Sequence, residues 1–364
     1  MAVRKRQWAA PDGTPRQAWQ VDYRDQAGKR RSRQFPRKKD AEAFDLKARG
    51  EVVQGIHTVD RESATIAEAA ELRLARAEER GLERSTLKSY SEVHRLHIVP
   101  LIGGLRLAQL TRPRCLQFRD DLGKDRSPAM VRKAVRELAS IIGEAQERGL
   151  VAQNVAAGIR IESRKRHKTE VEIPSRAELR TVLGAAEGFE KAFLLLAITA
   201  GLRSSELRGL RWADIDLKAD TVRIAQRADA WGVIGPPKSK AGRRSIPLPA
   251  EVVTELRSWK LAAKPNKLGV VFPNSRGGTF RHNNLVSRRI HPLQTRAGVE
   301  TVGLHVYRHA AASRWIAAGV DLKRLQTWLG HASIQTTLDT YGHLIADSAR
   351  DAELAVRASR DLFA

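Results

Sequence analysis

The periodicity of this chain changes along its length, and each change fixes what the segment can become. Residues 4–35 alternate between apolar and polar side chains, with Trp19, Val21 and Tyr23 in one phase, and are broken by the turn-forming runs PDGTP (11–15) and DQAGK (25–29). This pattern predicts a small three-stranded sheet. A helix from about Asp40 to Val53, closed by Gly55, is expected to cover one face of it.

From Thr65 the pattern turns helical. Thr65 and Glu68 form a capping box, Ser85 or Thr86 can cap a second helix, Thr111 a third, and Ser127 a fourth with Pro128 at its first position, where the missing N–H costs nothing. Val131, Val135, Leu138, Ile142 and Ala145 then recur at helical spacing up to Gly149, a stripe that reads as core. A four-helix module over roughly 65–155 follows. The remainder, about 170–364, opens on a capping box at Ser175 and Glu178 and runs helical through Ala200. It shows strand character at 221–226 and 243–248 and returns to helices from about 250. The fold class is multi-domain α+β: a sheet plus helix, a helical module, and a mostly helical region with a small antiparallel sheet.

Composition narrows the partners. At 364 residues and 42% hydrophobic content the chain can supply a core for two or three domains. No apolar run approaches the roughly 20 residues of a membrane span, and the basic start MAVRKRQW lacks the apolar stretch of a secretory signal, so the cytoplasm is the expected location. Lone Cys115 cannot form an internal disulfide, and without a CxxC pair a cysteine-based zinc site is excluded. Sixty-five Lys+Arg against 41 Asp+Glu give a net charge of +24, a field that favours encounter with a polyanion, nucleic acid foremost.

Two stretches concentrate that charge. Residues 1–60 hold 14 basic and 8 acidic residues, with Arg30, Arg31 and Arg33 on or beside one strand, and a basic sheet can enter a DNA groove; a solvated sheet face would look the same. Residues 160–168, RIESRKRHK, hold five basic residues and one acidic, including Arg164, Lys165 and Arg166. They read as a linker lying along phosphates.

The candidate chemistry lies in the third region. In TAGLRSSELRGL, Gly201 ends an apolar helix, and Arg203 and Glu206 stand one turn apart, so the carboxylate can fix a guanidinium whose planar fork suits two phosphate oxygens. Alone, the two make an ordinary ion pair. In WGVIGPPKSKAGRRSIPL, Lys238 and Lys240 precede Ala241-Gly242, where a hairpin turn is expected between the two strands. In HVYRHAAASRWIAAG, His305, Arg308 and His309 share one helical face while Trp315 and Ile316 read as core. HxxxH spacing can bind a metal, but the glutamate of HExxH is missing and Arg308 adds positive charge, so no metal is expected. WLGHASIQTTLDTYGH follows, with Gly330 ending one helix, Ser333 able to cap the next, and His331 ten residues before Tyr341. No GxxxxGK[ST] loop occurs, so nothing points to ATP, and no cofactor is expected.

Arg203, a lysine of the 238–240 link, HVYRH, LGH and Tyr341, in this order on a basic chain, resemble the tyrosine recombinase family, also called phage integrases. The likeness implies Arg203, Lys240, His305, Arg308, His331 and Tyr341 as catalytic residues, with Lys238 the alternative to Lys240 and Glu206 and His309 in support. It implies an arm-type DNA-binding domain at 1–60, a core-site-binding domain at 65–155, a linker at 156–172, a catalytic domain at 173–345 and a tail helix at 346–364. In the segment after Tyr341, residues 342–364, Ile345, Ala349, Ala352, Val356 and Phe363 can form one helical stripe able to dock on its own or a neighbouring subunit. Implied too are attachment-site DNA, a homotetramer, an excision factor and a DNA-bending host protein as partners, and a place at the nucleoid of a bacterial host. Chromosome-dimer or transposon resolution, type IB topoisomerase activity and a non-catalytic DNA-binding regulator are the competing uses of such a chain.

Overall fold

The computed structural model describes residues 2–25, 28–53, 63–161 and 173–345, and the chain divides into two units, Met1–Arg166 and His167–Ala364. Gly55, Arg164, Lys165, Arg166 and the tail from 346 onward lie outside the described residues, as does the side chain of Ile345.

In the first unit the alternating segment forms an antiparallel meander of β1 (Ala2–Ala9), β2 (Pro15–Arg24) and β3 (Arg30–Phe35). Val21 pairs with Val3 on one side and Arg33 on the other, so one phase of all three strands faces α1 (Lys38–Val53). Val21 is fully buried, and Phe44 of α1 packs against Tyr23 and Phe35 at ring-centroid distances of 5.6 and 5.2 Å. Arg33 shares that phase, and its guanidinium lies over Phe35 and Phe44 at 5.3 and 4.8 Å. Arg31 bonds Asp25 at 2.7 Å. Arg30, in the opposite phase, is exposed on the other face.

The helical module consists of α2 (Ile66–Glu79), α3 (Arg84–Val93), α4 (Val99–Ile102), α5 (Arg112–Asp125) and α6 (Pro128–Glu147). Thr65 and Glu68 form the expected capping box, and Thr111 and Ser127 each accept from the third backbone N–H of their helix, Arg114 and Met130. The second helix differs from expectation: it starts at Arg84, with the Leu87 N–H on the Glu83 carbonyl at 3.1 Å, so Ser85 and Thr86 lie inside it. A π-turn at His94–Ile98 joins α3 to α4. Its cause is Pro100, which lacks an N–H and whose ring crowds the carbonyl four residues back, at Leu96; widening the turn there removes the conflict. Every residue of the Val131–Ala145 stripe is buried.

The second unit is built on α8 (Gly188–Thr199), preceded by α7 (Arg176–Gly184) with its Ser175–Glu178 capping box. Ala192, Phe193, Leu194, Leu196, Ala197 and Ile198 are all buried, as expected of a helix apolar on every side. After α9 (Ser204–Gly209) come β4 (Ile215–Asp216), β5 (Thr221–Ile224), β6 (Arg227–Ala228), β7 (Ile234–Gly235) and β8 (Arg244–Pro247). β5 pairs with β8 and β4, as the two predicted strands require, but β6 and β7 form a separate two-stranded ribbon. The reversal therefore lies at Asp229–Val233, where the Asp229 carboxylate accepts from the backbone N–H groups of Trp231 and Val233, both at 2.8 Å. Ala241-Gly242 is not a hairpin turn; Lys240–Gly242 is a 3₁₀ turn linking two different sheets.

The closing helices are α10 (Ala250–Ala262), α11 (His282–Leu285), α12 (His291–Arg296), α13 (Leu304–Ala317), α14 (Leu322–Leu329) and α15 (Ile334–Ile345). Between α11 and α12 a second π-turn, Val286–Ile290, precedes Pro292 and meets the same steric problem in the same way. α8 packs against α10 and α13, which carries α13 and its histidines alongside the Gly201 turn.

Candidate active site

Gly201 follows the last turn of α8 in left-handed conformation, φ +59°, and a Cβ there would stand 3.0 Å from the Trp315 ring. The turn aims its carbonyl at Arg308, whose Nη1 donates to it at 2.7 Å. Arg203 then stands at the N-cap of α9. Its backbone N–H and its Nη1 both donate to Glu206, each at 2.8 Å, so the carboxylate caps the helix and orients the guanidinium together.

Glu206 has a second cation that the motifs do not announce. Arg244, buried at the start of β8, donates to both carboxylate oxygens at 2.9 and 2.8 Å. Burial alone would raise the Glu206 carboxyl; the Arg244 hydrogen bonds and the charges of Arg244, Arg203 and Arg308 bring it down to about 2 instead. Three guanidiniums face one carboxylate, leaving the pocket short of negative charge.

The three arginines converge on the end of one helix. Arg244 Nε donates to the Trp328 carbonyl at 2.6 Å, Arg308 Nη2 to that of Leu329, and Arg203 Nη2 to that of Gly330 at 3.0 Å. These carbonyls at the C-terminus of α14 carry the negative end of its dipole. Gly330 makes the arrangement possible: at φ +62° it ends the helix, and a Cβ would meet the Ala241 carbonyl oxygen and Arg244 Nη1, both at 2.9 Å.

The same turn swings His331 into the site. Arg308 Nη2 lies 3.2 Å from His331 Nε2, and since arginine only donates, the ring proton sits on Nδ1, 2.9 Å from Thr337 Oγ1. Thr337 is fully buried. Burial, then the charges of Arg308, Arg203 and Arg244, lower His331 to about 4; burial, His309 and the same two leading arginines do likewise for His305. Both are neutral at pH 7. Arg308, 1% exposed, is lowered to about 9 by burial and then by Arg203.

Tyr341, on α15, is 2% exposed among Ala312, Ile316, Leu325 and Leu329. Burial raises its phenol to about 12 against the opposing pull of Arg308 and Arg203. Its oxygen lies 2.9 Å from His309 Nδ1, while the His305 ring stands edge-on to His309 at 4.8 Å. Ser333 accepts from the Gln335 N–H at 3.2 Å, capping α15 as expected. Lys238 and Lys240 are both exposed in the link between β7 and β8.

Residues 175–347 match the phage integrase family. The chain carries a tyrosine recombinase domain of that family. A XerC-like tyrosine recombinase of Caldanaerobacter subterraneus subsp. tengcongensis is 29% identical over 255 residues, 62% of this chain and 64% of that protein. The ICEBs1 integrase of Bacillus subtilis is 29% identical over 171 residues, 44% of this chain and 46% of its own length. The matches thus span between about half and just under two thirds of these relatives. The fold is that of the Tn1549 transposon integrase in complex with transposon right end DNA, with a TM-score of 0.68 at 21% identity over 80% of this chain and 99% of the other.

The recombinase domain brings Arg203, Glu206, His305, Arg308, His309, His331 and Tyr341 together. Sequence reasoning missed Arg244 and Thr337. A signal for Arg244 exists: it shares the buried phase of β8 with Ile246, and an arginine in the core phase of a strand needs a buried anion. Thr337 carries none. Among the described residues no group of three or more His, Cys, Asp or Glu could hold a metal ion, and no helix is long and apolar enough to cross a membrane.

Proposed function

We propose that this protein is a site-specific recombinase that cleaves and rejoins DNA strands to integrate and excise a phage or integrative element. The convergence of Arg203, Arg308, His331 and Tyr341 around the end of α14 carries the proposal. A phosphodiester resists cleavage because its charge repels nucleophiles and its alkoxide is a poor leaving group. Arg203 and Arg308 answer the first problem by stabilising the extra charge of a five-coordinate phosphorus with charged donors already held in place. Glu206 and Arg244 fix Arg203 without neutralising the cluster.

Tyr341 attacks phosphorus and forms a 3′-phosphotyrosyl bond. The leaving 5′ oxygen takes a proton from Lys240, or from Lys238 two residues away, either of which is exposed and on a flexible stem. His331 supports the phosphate; the family resemblance makes His305 the proton acceptor, although it is His309, in contact with the His305 ring, that lies within hydrogen-bond distance of the phenol. Attack by a partner strand's 5′ hydroxyl reverses the step. The bond energy is kept in the phosphotyrosine, so strand exchange runs without ATP, through a Holliday junction in a homotetramer.

Residues 1–60 then grip arm sites, 65–155 the core site, 156–172 run along phosphates, 173–345 carry the chemistry, and 346–364 dock between or within subunits. An excision factor and a DNA-bending host protein would set direction. The amino-terminal sheet favours integration over chromosome-dimer or transposon resolution, which needs no arm sites. The test is recombination between plasmids carrying the two attachment sites that flank the element. Recombinant product with the full chain, and its loss when residues 1–60 are removed, support the integrase; equal recombination without them supports a resolvase. Relaxation of supercoils lacking any attachment site would mark a topoisomerase.

A further inference from the structure

Among the described residues the phenol of Tyr341 has one hydrogen-bond partner, His309, which follows the arginine of HVYRH. Their separation, 2.9 Å from Oη to Nδ1, is that of a proton donor and acceptor ready for transfer. The direction of the bond follows from both environments. Burial holds the proton on the phenol, and burial followed by the Arg308 charge keeps the imidazole neutral, so Tyr341 donates and His309 offers a lone pair. His305 touches His309, ring against ring at 89°, and not the phenol.

We propose that His309 takes the phenolic proton of Tyr341 during cleavage and returns it on rejoining, and that His305 positions the His309 ring. This rests on the strand-cleavage reading above. As the Tyr341 oxygen bonds to phosphorus, its O–H bond breaks and the proton passes to His309 Nδ1. The P–O5′ bond breaks in the same displacement, and the departing oxygen is protonated by the general acid, Lys240 or Lys238. The imidazolium forms beside the negative charge growing on the phosphorane, which offsets the cost of a new cation next to Arg308. Rejoining runs each transfer backwards, so the enzyme ends as it began.

Single-turnover cleavage of a nicked duplex carrying the attachment site tests this with the full chain. His309→Asn keeps an oxygen acceptor near the place of Nδ1 but cannot take the proton; it should fold with unchanged melting temperature and cleave about 10²–10⁴-fold more slowly. His309→Ala and His309→Gly leave room for free imidazole, which should restore a large part of the lost rate, a response that loss of packing alone does not produce. The same imidazole should not restore His305→Ala. Cleavage by His309→Asn within about threefold of wild type, a deficit in both small variants that imidazole fails to restore, or rescue of His305→Ala in their place would overturn the assignment. If the wild-type protein forms no adduct at all, the recombinase reading fails rather than the role of His309.

Discussion

Arg203 Nη2 donates to the Gly330 carbonyl at 3.0 Å, tying the first turn of α9 to the last of α14 across 127 positions of sequence. That bond exists because Gly330 holds φ +62°, and the space beside it is taken by the Ala241 carbonyl. Gly330→Ala should therefore lose about 1–3 kcal/mol from backbone strain alone, before the clash is counted. Gly330→Asn separates the two effects: asparagine tolerates the conformation but still carries a Cβ, so it should recover little stability and little cleavage. Urea melts and adduct yield measure both.

Arg244 and Glu206 should behave as a buried pair. Arg244→Ala leaves the carboxylate half-compensated in the interior and should cost about 3–5 kcal/mol, whereas Arg244→Lys keeps the charge but loses the fork and should fall between. The pH dependence has a definite sign. Glu206 titrates at about 2 in the fold against 4.5 free, so its stabilisation is complete above 4.5 and is lost as pH falls towards 2. The stability gap between wild type and Glu206→Gln should be constant above pH 4.5 and close below it. Denaturant midpoints across that window decide the matter.

Thr337 holds the His331 ring through its Nδ1 at 2.9 Å. Thr337→Val removes the oxygen that receives the Nδ1 proton and leaves a half-buried donor without a partner, a loss of about 1–3 kcal/mol. Cleavage should fall while DNA affinity stays within about twofold, since no contact with the duplex is assigned to Thr337. Thr337→Ser, which keeps the hydroxyl, should restore cleavage, and unchanged cleavage in the valine variant would remove Thr337 from the site.

The three strand arginines should separate. Arg33 covers Phe35 and Phe44 and Arg31 holds Asp25, so alanine at either should lower the melting temperature of the protein. Arg30, exposed on the opposite face, should leave stability unchanged and weaken arm-site binding, reducing the slope of log K against log salt by about 1 if it meets a phosphate. Titrations at several salt concentrations distinguish the outcomes.

Much of this arrangement is legible in the sequence, for reasons that differ by residue. Thr65, Ser127 and Ser175 announce helices because a capping side chain must sit within three residues of the N–H it serves, so the signal is local. The Asp229 turn and its β6–β7 ribbon were not legible, because two-residue strands carry no period. Arg203, Glu206, His305 and Arg308 could be grouped by helical spacing. The pairing of Glu206 with Arg244, 38 positions on, and of Tyr341 with His309 depends on how α9, β8, α13 and α15 pack, which no spacing encodes. The two proline-linked π-turns sit between these cases: the proline is visible, but the choice of a widened turn over a break is made by the packing around it.

The proposed strand cleavage by this protein requires Tyr341 as the nucleophile. A nicked suicide duplex carrying the attachment site, incubated with the protein in EDTA, traps the intermediate because the short piece between the cleaved bond and the nick, which carries the free 5′ hydroxyl needed for rejoining, is lost by diffusion. A covalent protein–DNA band that survives denaturation, is absent for Tyr341→Phe, and maps to the Tyr341 peptide by mass spectrometry is the predicted result. An adduct that persists in Tyr341→Phe, or no adduct from the wild-type protein on its own site, would contradict it.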